Sequence, residues 1–260
     1  MTHTPNFRIV IPARYASSRL PGKALLPLAG RPMLEWVHDR ARRCGAREVV
    51  VATDDARIAE VARGFGAEVE LTADTHESGT DRIAEVAARR GWGEGDIIVN
   101  LQGDEPLMPV ALLLQVASLL ESHPAAGMAT LCGPLSGLDA FLDPNVVKVV
   151  ASESGRALYF SRAPIPWNRD AAPQGLVSQT AHEGAWRHIG LYAYRVSALR
   201  RLASLPPSSL EKLEKLEQVR ALEHGIEIRI APALEAPGPD VNTAADLARA
   251  EAALVAEAQP

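Results

Sequence analysis

Short apolar runs alternate with helix-length amphipathic segments through the first hundred residues, and this restricts the chain to a layered α/β arrangement. Phe7 to Ile11 is an apolar run closed by Pro12, the pattern of a buried strand. Pro32 opens a helix in which Leu34, Val37, Ala41 and Cys44 recur at helical spacing. Glu48 to Ala52 reads as a second strand, and Thr53-Asp54 caps a helix through Ala62 with Ile58 and Val61 on its apolar face. Val69 to Leu71 gives a third strand, Thr80 to Arg90 a helix and Asp96 to Leu101 a fourth strand. Consecutive strands joined by helices must run parallel, so both faces of the sheet are covered and its strands are apolar throughout.

The second half loses this rhythm. Val146 to Ala151, Arg156 to Phe160 and His188 to Tyr194 are strand-like, and Pro164, Pro166 and Pro173 lie between them because proline cannot sit inside a sheet. Leu210 to His224 reads as one helix with Leu213, Leu216, Val219 and Leu222 on one face and Gly225 as its terminator. Lys212, Lys215 and Glu217 read as its solvated face. Ile226 to Ile230 is a last strand and Thr243 to Ala258 a closing helix. The expectation is one α/β domain over residues 1–260, with a mostly parallel central sheet flanked by helices. A smaller mixed β lobe is inserted in the second half, over about 140–225.

Charge narrows the function. The formal net charge is −5, which disfavours nucleic acid and anionic membrane as partners. Yet no Asp or Glu precedes Glu35, whereas Arg8, Arg14, Arg19, Lys23 and Arg31 all do. Arg14, Arg19 and Lys23 fall within the loop Pro12-Ala13-Arg14-Tyr15-Ala16-Ser17-Ser18-Arg19-Leu20-Pro21-Gly22-Lys23, which leaves the carboxyl end of the first strand. Ligands of open α/β sheets bind at that end. Three cations with small Ser and Gly neighbours suit a triphosphate, whose oxygens each need a donor; a plain solvated loop is the alternative. Neither GxxxxGK[ST] nor GxGxxG is present, so P-loop and dinucleotide-binding readings lack their signatures.

Asp104 stands in Gln102-Gly103-Asp104-Glu105-Pro106, directly after the strand DIIVNL. A carboxylate at a strand tip beside glycine suits a phosphate-bound Mg²⁺ as well as a simple turn before proline. Cys44 and Cys132 form no CxxC or Cys/His cluster, so reduced thiols and a cytoplasmic protein are expected. The apolar run Ala111 to Leu120 is too short to span a bilayer.

The string IPARYASSRLPGKAL resembles the N-terminal signature of the CMP-Kdo synthetases, the cytidylyltransferases that activate 3-deoxy-manno-octulosonate (Kdo). The resemblance runs on through ATDD at Ala52, SGTDR at Ser78, NLQGDEP at Asn100, DPNVVKVV at Asp143, ALYFSRAPIPW at Ala157, RHIGLYAYR at Arg187 and LEKLEQVRALEHG at Leu213. It implies a Rossmann-like nucleotidyltransferase fold, CTP and Kdo as substrates, and transfer of CMP with release of pyrophosphate for lipopolysaccharide synthesis. It also implies Mg²⁺ as cofactor and a homodimer built on the lobe near Val146 to Trp167. By the same resemblance Arg14, Lys23 and Asp104 carry catalysis. Pro12, Ala13, Arg14, Arg19, Lys23, Ser78, Gly79, Arg82 and Gln102 bind the nucleotide. Arg82, Gln102, Arg162, His188, Tyr192 and Glu211 or Glu214 bind the sugar acid.

One segment departs from that family. Asp240-Val241-Asn242-Thr243 stands where relatives typically carry V-D-T with a second metal-binding Asp, so Asp104, Asn242 and Asp240 are the expected metal ligands. Asp240 either reaches the metal or caps the turn before the last helix. A CMP-sialate synthetase, a related glycosyltransferase and a non-catalytic nucleotide-binding relative are the competing readings. The glycosyltransferase would normally show DxD, which Gly103-Asp104-Glu105 does not supply.

Overall fold

The computed structural model describes residues 4–16, 20–76, 78–180 and 182–257. In chain order its strands are β1 (Phe7–Ala13), β2 (Pro27–Leu28), β3 (Arg31–Pro32), β4 (Val49–Thr53), β5 (Glu68–Leu71), β6 (Ile97–Asn100), β7 (Met128–Pro134), β8 (Lys148–Ala151), β9 (Ala157–Ser161), β10 (Trp186–Arg195) and β11 (Ile228–Pro232). The helices are α1 (Met33–Arg43), α2 (Ala56–Gly64), α3 (Gly79–Arg89), α4 (Val110–Glu121), α5 (Leu138–Leu142), α6 (Val196–Ser204), α7 (Ser209–Glu214), α8 (Glu217–Glu223) and α9 (Ala244–Glu257).

The central sheet has the order β11-β7-β10-β6-β1-β4-β5. Pairings β1–β4, β1–β6, β4–β5 and β7–β11 are parallel, and only β10 runs against its neighbours β6 and β7. The β8–β9 hairpin hangs from the start of β10 through Trp186 and Arg187, and is the mixed lobe. β1 is buried along its whole length. Its alternate residues feed two cores: Phe7, Ile9 and Ile11 meet α1 and α4 on one face, while Val10 meets α3, α6 and α8 on the other. Val241, Ala250 and Leu254 close a third cluster with Leu28, Met33 and Leu107, which pins the C-terminal helix beside the first loop. Among the described residues no helix is long and apolar enough to cross a membrane.

Two local expectations change, and further elements are added. The cap of α2 is Asp55, whose carboxylate accepts from the Arg57 N–H at 2.9 Å, rather than Thr53-Asp54. The segment 210–224 is not one helix: Lys215 adopts φ 54°, ψ 46° and divides it into α7 and α8. Strand β7 is one of these, because MATLC is poor in β-branched residues, and it forms through its pairing with β10; helix α6 is another, although Val196, Leu199 and Leu202 recur at helical spacing and pack toward α3.

Candidate active site

The tips of β1, β4 and β6 converge on the loop after β1. Gly22 has φ 67°, a conformation costly for any residue with a Cβ, and a Cβ there would also stand 3.1 Å from the Tyr15 ring. Its N–H donates to the Tyr15 carbonyl at 3.0 Å, which closes the loop and starts a 3₁₀ turn at Lys23. The Arg57 guanidinium lies over the Tyr15 ring, 3.4 Å from its centre, and holds the loop's first residues. Arg19 lies outside the described residues.

Lys23 reaches across to the β6 loop. Its ammonium donates to Asp104 Oδ2 at 2.5 Å and to Asn242 Oδ1 at 3.4 Å. Asn242 Nδ2 in turn donates to Asp240 Oδ2 at 2.5 Å, which aims the amide oxygen at Lys23. Two glycines allow this convergence. A Cβ on Gly103 would come within 3.1 Å of the Pro12 carbonyl oxygen, and one on Gly238 within 2.8 Å of the Leu107 carbonyl oxygen. The 238–242 segment is then sealed on by the Val241 N–H, which donates to the Asp104 carbonyl at 2.9 Å. Asp240 does not cap α9. Thr243 and Asp246 do that work as a capping box: the Thr243 hydroxyl accepts the Asp246 N–H at 3.2 Å, and the Asp246 carboxylate accepts the Asn242 and Thr243 N–H groups at 3.0 and 2.8 Å.

Among the described residues no group of three or more His, Cys, Asp or Glu side chains forms a ready metal cage. Asp104 and the Asn242 carbonyl instead hold a cation, the Lys23 ammonium, and Asp240 stands behind Asn242 as a third oxygen donor. That chemistry fits Mg²⁺, which typically takes one or two carboxylates and completes its shell with phosphate oxygens and water. Burial, with Asp104 and Asp240 as like charges, pushes Glu105 up to about 8. Glu105 Oε2 accepts the Gln102 N–H at 3.3 Å and shapes the turn.

A cavity of about 170 Å³ opens beside this cluster, lined by Pro12, Ala13, Arg14, Ser78, Gly79, Arg82, Gln102 and His76. Ser78 caps α3 by accepting the Asp81 N–H at 3.1 Å, so the positive end of that helix faces the cavity. Arg82 is almost wholly buried and committed to Asp54 Oδ2 at 2.7 Å and to the Thr72 hydroxyl, so it shapes the wall. His76 carries no sequence signal; its Nε2 is 2.5 Å from Glu85 Oε2.

A second cavity, also about 170 Å³, shares Gly79 and Gln102 with the first and is further lined by Tyr192, Tyr194, Glu217 and Gln218. The Tyr192 phenol oxygen is buried without a hydrogen-bond partner. The neighbouring Thr130 hydroxyl is taken by His188 Nε2 and by the Ile189 and Leu191 carbonyls, at 2.9–3.0 Å. His188 and Tyr192 do share a face, as their spacing predicts. Four residues of regular strand span about 13 Å, yet the rings lie 5.3 Å apart because β10 bulges between Ile189 and Tyr192. Periodicity cannot reveal such a bulge.

The acidic residues expected on the sugar are placed differently. Glu211 forms the capping box of α7 and an ion pair with Arg220 at 2.6 Å, and Glu214 binds Ser161 and Arg162; neither is among the lining residues of these two cavities. Glu217, expected on a solvated face, is the carboxylate that enters the second cavity, and burial raises its pKa against the opposing Thr80 and Ser78 hydroxyls. Arg162 Nε and Nη1 donate to the Glu214 and Pro144 carbonyls, outside the lining.

Burial between Phe160 and Tyr192, with Arg187 nearby, pushes His188 down to about 3. The unfolded imidazole titrates near 6.5, so between these values the unfolded chain binds the extra proton. Stability therefore rises with pH across this window and is fully present above it. In His188→Asn the acid-side slope of unfolding free energy should flatten by up to about 1.4 kcal/mol per pH unit, less because the ring is only half-buried. Urea titrations between pH 6 and 4 check this, and parallel slopes would reject it.

The profile of the cytidylyltransferase family matches residues 8–228. The chain is 56% identical over 246 residues to the 3-deoxy-manno-octulosonate cytidylyltransferase of Thioalkalivibrio sulfidiphilus, covering 95% of this chain and 98% of the relative. It is 54% identical to that of Halorhodospira halophila, with 94% and 95% covered. A solved CMP:2-keto-3-deoxy-manno-octonic acid synthetase complexed with CTP superimposes with a TM-score of 0.87 at 42% identity, over 97% of this chain and 99% of that one. A site of two adjoining cavities at the strand tips, on a chain this similar along its length, places the protein in the 3-deoxy-manno-octulosonate cytidylyltransferase family of the cytidylyltransferases.

Proposed function

We propose that the protein transfers CMP from CTP to Kdo, giving CMP-Kdo and pyrophosphate. The observation that carries this reading is the shared wall of Gly79 and Gln102: one cavity abuts the cationic loop and the helix N-terminus, and the other presents Tyr192, Glu217 and Gln218. The first takes cytosine and ribose, with the triphosphate reaching Arg14 and Lys23. The second holds the sugar acid so that its anomeric oxygen attacks the α-phosphorus. The new P–O bond forms as the bond to pyrophosphate breaks, and no covalent enzyme intermediate is needed. Catalysis then rests on orientation and on charge placed in advance. Mg²⁺, which Asp104, Asn242 and Asp240 would hold, supplies charge neutralisation on the triphosphate. Tyr192 gains through the acceptor the hydrogen bond that it lacks.

Pyrophosphate release from CTP with Kdo, measured against release with a nine-carbon sialic acid, tests the assignment. Kdo should be used at least a hundredfold better; equal use would remove it. We further infer that the enzyme is cytoplasmic, in keeping with two buried free thiols. We also infer a homodimer joined through the lobe, where Leu158 is 50%, Trp167 41% and Trp186 37% exposed. Sedimentation at micromolar concentration should give twice the chain mass; a monomer would count against the dimer.

A further inference from the structure

We propose that Glu214 is the positioning residue of the second cavity: it clamps the end of α7 to the end of β9, and so fixes where α8 begins. This rests on the reading of that cavity as the acceptor site. Glu214 Oε1 accepts the Ser161 hydroxyl at 2.6 Å, its Oε2 accepts the Arg162 N–H at 2.9 Å, and its carbonyl accepts Arg162 Nε at 2.6 Å. Three hydrogen bonds thus join two segments more than fifty residues apart in sequence, and both carboxylate oxygens are used.

The β9 side of the clamp is itself immobilised. Lys148 is fully buried, and its ammonium donates to the carbonyls of Asp143, Val146 and Arg162 at 2.8, 2.6 and 2.7 Å. All three ammonium protons are matched to backbone oxygens with no carboxylate among them, and burial lowers the Lys148 pKa. Arg162 also donates Nη1 to the Pro144 carbonyl at 2.9 Å. Ser161 and Arg162 are therefore held from the 143–148 loop, and they hold Glu214.

The backbone immediately after Glu214 converts this anchor into a direction. Lys215 is one of two non-glycine residues with positive φ among those described, and its N–H donates to the Glu211 carbonyl at 2.7 Å. A lysine takes that conformation only where its surroundings impose it. The reversal buries Leu216 and starts α8 at Glu217, so that Glu217 and Gln218 face the cavity three and four residues after the clamp. A register change at Glu214 would be passed to both through a single turn of backbone.

The test uses the full-length enzyme and separates the two substrates. In Glu214→Ala, kcat/KM for Kdo should fall by about thirtyfold, while CTP affinity, measured by calorimetry without acceptor, stays within twofold. Ser161→Ala, a milder change on the opposite side of the clamp, should move Kdo use in the same direction by about threefold. Glu214→Gln keeps one acceptor oxygen and should recover part of the loss. A parallel weakening of CTP binding and Kdo use would make Glu214 a general stabiliser and overturn the proposal. Glu217→Gln and Tyr192→Phe report on the cavity itself. If both leave Kdo use unchanged, the acceptor reading fails and the proposal with it. If both impair Kdo use while Glu214→Ala does not, the positioning role alone is wrong.

Discussion

Replacing Asp104 by Ala or Asn should lower kcat about a thousandfold or more, the largest single effect expected in this protein. Asp104 supplies the short contact to Lys23 and, with Asp240 and the Asn242 carbonyl, the oxygen set suited to Mg²⁺. Losing a preorganised group that answers charge on a transferring phosphoryl costs roughly two to three orders of magnitude, and a shared cation site adds to that. Asp104→Asn is the cleaner variant, since it keeps side-chain volume and leaves Lys23 an oxygen to bond. Circular dichroism should be unchanged, and Mn²⁺ binding followed by electron paramagnetic resonance should weaken in step with activity. Rates within tenfold of wild type at every Mg²⁺ concentration would exclude Asp104 from the chemistry.

The neighbouring variants resolve the C-terminal segment. Asn242→Asp places a third carboxylate, beside those of Asp104 and Asp240, where a neutral amide stands, and should lower the Mg²⁺ concentration for half-maximal rate by about tenfold. Asp240 accepts the Asn242 amide, so Asp240→Ala should let that amide turn and raise the Mg²⁺ requirement. An unchanged Mg²⁺ dependence in Asp240→Ala would show that the site functions without it.

CTP should be used at least about a thousandfold better than ATP or GTP, in kcat/KM. One side of the first cavity is the buried end of β1 at Pro12 and Ala13 and the start of α3 at Ser78 and Gly79, and on the other side the Arg82 and His76 side chains are held in place by Asp54 and Glu85. A Cβ on Gly79 would make ordinary contact with Pro12 Cγ at 3.4 Å and Gln102 Nε2 at 3.8 Å, so β1 and α3 already stand about one methyl group apart here. Forcing extra atoms into such a space costs about 1–3 kcal/mol, and each buried polar group left unpaired by the wrong base costs a similar amount. Together these reach three orders of magnitude. Turnover of ATP comparable to CTP would remove the cytidylyl specificity.

The α/β class, the parallel order of the first strands and the cationic loop were legible because they depend on local pattern: apolar runs, helical spacing and the clustering of Arg14 and Lys23 before the first acid. Asp104 stood out as a carboxylate at a strand tip beside glycine, a pattern that suits a turn equally, and the family resemblance is what pointed to the metal. The arrangement of the acceptor cavity was not legible. Glu211, Glu214 and Glu217 stand in one charged stretch with nothing local to rank them, and a left-handed Lys215 decides which one turns inward. The bulge that brings His188 to Tyr192 leaves no mark in the alternation of residues. Gly103 and Gly238 look like ordinary turn glycines until the backbones they admit, Pro12 and Leu107, are seen against them. Sequence alone determined which residues carry charge and most of the strands and helices of the first half. Only the tertiary structure decided which charges face a cavity and which are consumed by partners, because that depends on contacts between segments fifty to two hundred residues apart.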